Sequence, residues 1–64
     1  MKRYEIHASI VTTSVFGNAS AEHVVLEIEA MLLNAAIAFA RAELHRPHAS
    51  VFIDRDECRE VVAA

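Results

Sequence analysis

Gly17 and Pro47 are the only glycine and the only proline of this 64-residue chain, and from Ala19 to Arg46 nothing interrupts the backbone. That uninterrupted stretch constrains the fold more than any other feature. Ser20 is a suitable helix N-cap, and Glu22 would sit in a first turn where the helix dipole favours an acid. His45 and Arg46 supply positive charge at the far end, and Pro47 stops the helix. The spacing therefore predicts a helix over 21–45, about 24 residues and about 36 Å long.

The residues of this segment fall on two apolar stripes at helical spacing. One is Leu26, Ala30, Leu33, Ile37, Ala40 and Leu44; the other is Val25, Ile28, Leu32, Ala35, Phe39 and Ala42. A helix with two apolar faces needs two surfaces to pack on. A sheet within the chain supplies one, and no second layer exists to supply the other. The second face is therefore expected to be a contact between copies. Leu26, Leu33, Ile37, Leu44, Ile28, Leu32 and Phe39 are the candidate self-association residues.

Strands flank the helix. Tyr4, Ile6, Ala8 and Ile10 alternate with Glu5, His7 and Ser9, and β-branched residues follow, which predicts a strand over 3–15. Gly17-Asn18 marks the turn after it. A second strand is expected over 49–54. Residues 57–63 read either as a third strand or as a short helix opened by an Asp54/Glu57 capping box. The fold class is α+β, one small β-α-β(-β) domain over 1–64, completed by homo-oligomerisation through the helix. Parallel pairing of the first two strands would demand a right-handed crossover.

Size supports the assembly argument. A chain this short hides only about 60% of the surface it exposes when unfolded, and small folds usually add disulfides, a metal or oligomerisation. The single cysteine, Cys58, excludes an internal disulfide. Apolar residues make up 55% of the chain, high for so little interior. Six basic against nine acidic side chains give a net charge of −3, which argues against a dedicated nucleic-acid binder. The start, Met1-Lys2-Arg3-Tyr4-Glu5, lacks the apolar run of a secretory leader. The eleven nearly uncharged residues from Ala30 to Ala40 are too few to span a bilayer, which takes roughly 20. Asn18-Ala19-Ser20 matches a glycosylation triplet that has no meaning without a leader. A free cysteine fits a reducing compartment, so a cytoplasmic protein is expected.

The chemistry-bearing residues form no recognised constellation. His45 and His48 have HxxH spacing, but Pro47 between them destroys the helical geometry, and no second ligand doublet accompanies them. His7 and His23 read as parts of solvated faces. Cys58 reads as a small buried hydrophobe rather than a nucleophile. Asp54, Asp56 and Glu57 form an acidic turn interrupted by Arg55. No catalytic residue, cofactor or metal ligand is expected. Asn18, Asp54, Asp56 and Glu57 are the candidate partner-binding positions, because loops on a rigid scaffold are the usual recognition sites.

The element order resembles one subunit of the 4-oxalocrotonate tautomerase family, which implies assembly through helices and sheets. In that family the residue after the initiating Met is the catalytic proline. Here it is Lys2, and Pro47 lies in a loop, so the resemblance covers topology and not activity.

The function expected from these readings is a small non-enzymatic accessory protein. It would bind itself and another protein, as a regulator or inhibitor of the sort that phages and other mobile elements encode. One competing class is a small-molecule-binding or tautomerase-like enzyme with a pocket between subunits. Its mark would be a cavity lined by His7, His23, Arg41 or Cys58. Another is a DNA-binding regulator, which would need Lys2, Arg3, Arg41, Arg46, Arg55 and Arg59 to gather on one surface.

Overall fold

The computed structural model describes residues 1–61. Among them the chain forms strand β1 (Lys2–Thr13), strand β2 (Ala19–Ala30), helix α1 (Leu33–Leu44), strand β3 (Ala49–Ile53), a 3-10 turn (Arg55–Glu57) and strand β4 (Arg59–Glu60). The α+β class holds: an antiparallel sheet of four strands carries one helix on one face. The order is β2-β1-β3, with β4 also paired to β1.

β1 follows its alternation. Tyr4, Ile6, Ala8 and Ile10 are buried, while Glu5, His7, Ser9 and Val11 are only partly covered on the other face. The strand ends at Thr13, two residues short of the expected 15.

The expected helix over 21–45 is half strand. β2 pairs with β1 in unbroken antiparallel register, from Lys2 opposite Ala30 to Thr13 opposite Ala19. The physical reason is a second periodicity within the same residues. Val24, Leu26, Ile28 and Ala30 alternate with His23, Val25, Glu27 and Glu29, a period of two that suits a half-buried strand as well as the stripes suit a helix. Gly17 decides between them. It sits at φ +84°, and its N–H donates to the Ser14 carbonyl at 3.0 Å, closing a hairpin turn rather than a strand-to-helix connection. Ser14 Oγ accepts from the N–H groups of Phe16 and Asn18 and braces the turn. Ser20, read as an N-cap, instead lies opposite Thr12 in the ladder.

α1 begins after a bend at Met31-Leu32 and runs twelve residues. Leu32 occupies the N-cap position with extended backbone and no side-chain cap, so no sequence signal marks the start. Ala36, Ala40 and Leu44 are buried against the sheet, with Leu33 and Ile37 packed beside them. Of the second stripe, Phe39 and Ala42 are exposed, while Ala35 packs partly against the core.

β3 pairs antiparallel with β1 from Ala8 opposite Ile53 to Thr12 opposite Ala49, so no parallel crossover arises. His48, at φ +66°, turns the chain into it. Neither alternative for 57–63 holds alone. The 3-10 turn comes earlier, at Arg55–Glu57, and Arg59–Glu60 form a two-residue strand against Glu5 and Tyr4. Asp54 heads the turn without a side-chain cap bond, so the capping box does not form. Residues 62 and 63 of that expectation lie outside the described residues.

Candidate functional site

The helix covers one face of the sheet and leaves the other open. On that open face β1 presents Glu5, His7 and Ser9 at every second position. β2 places His23 opposite Ser9, which makes it the diagonal neighbour of His7. β4 sets Arg59 opposite Glu5. The chain leaving β3 brings Asp54 alongside, its N–H donating to the His7 carbonyl at 2.9 Å.

The side chains form a continuous row. Glu5 Oε1 lies 2.6 Å from His7 Nε2, and His7 Nδ1 lies 3.3 Å from His23 Nε2. His23 Nδ1 is 3.8 Å from Asp54 Oδ2, which also accepts from Ser9 Oγ at 3.4 Å. Arg59 approaches Glu5 at 3.5 Å. The hydrogen bond from His7, opposed by partial burial and aided by Arg59, holds the Glu5 carboxyl below its ordinary value of 4.5. An ionised Glu5 can only accept, so His7 Nε2 carries a hydrogen.

Cys58 lies beneath this row. The His7 N–H donates to its Sγ at 3.4 Å, and Sγ lies 3.4 Å from the Asp54 carbonyl. It packs against the core cluster of Tyr4 and Ile6, a structural position. Beside the row an open recess of about 740 Å³ is lined by His7, His23, Ile53, Asp54, Arg55, Asp56 and Glu57. It contains three of the four expected partner-binding residues; Asn18 is far away, in the hairpin turn. Of the four residues proposed to mark an enzyme pocket, His7 and His23 line it, and Cys58 and Arg41 do not.

A second region follows the free edge of β2. Leu26, Ile28 and Phe39 line a groove of about 440 Å³ between β2 and α1, rimmed by Glu27, Glu29 and Glu43. Those three apolar residues belong to the expected self-association set. Leu33, Ile37 and Leu44 of that set turn toward the sheet instead, and Leu32 is exposed at the start of α1. Beyond the helix the hairpin projects as an arm. Thr12 to His23 are all exposed, and Val15 and Phe16 stand at its tip at 94% and 87% exposure.

Four of the six positive side chains have polar partners. Lys2 pairs with Glu60, Arg3 with Glu27 and Glu29, and Arg59 with Glu5, while Arg55 donates to Asn34. The described part of the arm beyond Arg3 carries no lysine or arginine before Arg41. No helix among the described residues is long and apolar enough to cross a membrane. No family model, curated protein or solved structure matches the chain.

His7 and His23, expected on separate solvated faces, are neighbours on one face. The signal that pairs them was available: a hairpin turned at Gly17 fixes the register, and the register puts positions 7 and 23 on one face two residues out of step.

Proposed function

We propose that the chain is a self-associating protein-interaction module that acts in the cytoplasm as a regulator or inhibitor of another protein. The carrying observation is the edge of β2, twelve residues long, with the Leu26–Ile28–Phe39 groove running beside it. A strand edge of that length is a template for another strand. A second copy is the occupant that fits best. Two β2 edges paired about a two-fold axis would extend the sheet and bring Phe39 of each helix over the seam.

The surface area supports this. The chain exposes 4813 Å². A compact monomer of 7.1 kDa is expected to expose about 4,100 Å². The excess of about 700 Å² is close to what one partner buries in a standard interface, about 800 Å². The arm, with Phe16 at its tip and no lysine or arginine, remains for the second protein. Its lack of basic residues favours a protein partner over phosphate.

Light scattering after size exclusion tests the reading. Wild type should give at least twice 7.1 kDa at micromolar concentration. Phe39→Asp should give the monomer mass with an unchanged circular dichroism spectrum, because a charge buried at a seam costs several kcal/mol. A wild-type monomer with a cooperative melt overturns it.

A further inference from the structure

The paired histidines lie on the face opposite the helix, and the reading below does not depend on self-association. Each imidazole has a carboxylate at one nitrogen: Glu5 at His7 Nε2 and Asp54 near His23 Nδ1. The remaining nitrogens, His7 Nδ1 and His23 Nε2, face each other at 3.3 Å. Glu5 holds the hydrogen of His7 on Nε2, so His7 Nδ1 offers a lone pair; with the hydrogen of His23 on Nδ1, which faces Asp54 at 3.8 Å, His23 Nε2 offers a second, and in the other tautomer it donates to His7 instead. Lone pairs that close repel unless a positive centre lies between them. Two nitrogens bound at 2.0–2.1 Å to one tetrahedral ion stand about 3.3–3.4 Å apart, which is the spacing found here. A carboxylate hydrogen-bonded behind a histidine, as Glu5 is behind His7, orients the imidazole for a metal and raises its basicity, while Asp54 at 3.8 Å from His23 Nδ1 adds negative charge beside the second ring. Asp54, Asp56 and Glu57 around the recess add a field that attracts cations, and the guanidinium of Arg55 is engaged by Asn34.

We propose that His7 Nδ1 and His23 Nε2 together bind a divalent transition-metal ion of the zinc class, at the mouth of the Asp54–Glu57 recess. Among the described residues no group of three His, Cys, Asp or Glu side chains is placed to hold a metal. The other coordination positions therefore belong to water, and the site is open and exchangeable rather than a structural zinc centre.

The test is a titration of the full chain with zinc chloride, followed by proton–nitrogen correlation spectra of the imidazoles. The expected result is saturation at one ion per chain, with the His7 and His23 signals moving and those of His45 and His48 unmoved. His7→Gln and His23→Gln should each weaken zinc binding at least tenfold, and Glu5→Gln about tenfold through the orientation of His7. His45→Gln/His48→Gln should bind as wild type. Circular dichroism checks that each variant folds. Should His7→Gln unfold, the exposed His23 carries the test alone. Shifts confined to His45 and His48, no saturation, or wild-type affinity in His23→Gln overturns the proposal.

Discussion

Gly17 is required by its backbone and not by its surroundings. It lies at φ +84°, and a Cβ built there would meet nothing within 4 Å. Gly17→Ala should therefore cost about 1 kcal/mol, the penalty of a left-handed alanine, without disturbing packing. Denaturant melts read that cost directly, and Gly17→Asn should lose less. Ile6 is the opposite case: it is the one large side chain that is fully buried among the described residues. Ile6→Ala should cost about 3 kcal/mol, a large share of the stability of so small a fold. Glu5 gives a pH signature. Its carboxyl titrates lower in the folded chain than in the unfolded one, where 4.5 is the ordinary value. Its stabilisation is complete above that pH and is lost as pH falls through the lower folded value. Glu5→Gln should lose that stabilisation at neutral pH and converge with wild type once the pH falls below the folded value, so the acid side of its stability curve is flatter.

At the scale of elements, β1 was legible because polar and apolar residues alternate on it without ambiguity. β3 was legible because Val51, Phe52 and Ile53 follow a proline-marked turn. β2 was not, because Val24 to Ala30 satisfy periods of two and 3.6 together, and only the partner strand breaks the tie. The start of α1 carries no local signal at all. Leu32 has the backbone of an N-cap, φ −137° and ψ 154°, but offers no oxygen to the free N–H groups above it. Two substitutions separate the strand from the longer helix. Ser20→Ala should change stability by less than about 0.5 kcal/mol, since Ser20 is an exposed strand residue; a true N-cap would lose about 1 kcal/mol. Leu32→Ser should gain about 1 kcal/mol by supplying the missing cap. The histidine pair becomes legible only once β2 is read as a strand. His7 and His23 are sixteen residues apart and meet only when the hairpin register is known.

At the scale of the molecule, the fold is long and thin, 46 × 18 × 15 Å. Twelve residues of helix span about 18 Å, while a twelve-residue hairpin spans about 40 Å, so one helix cannot cover the sheet it sits on. Among the described residues eight are buried, and half of these are alanines, which contribute little apolar area. Under the self-association proposed above, a core this slight would draw part of its stability from the second copy, and that coupling has a measurable form. If the native state is a dimer and the unfolded state a monomer, each tenfold rise in concentration adds about 1.4 kcal/mol per dimer. For a domain of this size that raises the midpoint by about 4 °C. Phe39→Asp should melt lower and lose the concentration dependence, because Phe39 is exposed in the single chain and its loss acts through the seam alone. Ile37→Asp should instead unfold the chain at every concentration, because Ile37 packs against the Tyr4–Ile6 cluster. A wild-type midpoint constant over two decades of concentration would mean that the slight core folds by itself, and that the β2 edge serves a partner other than a second copy.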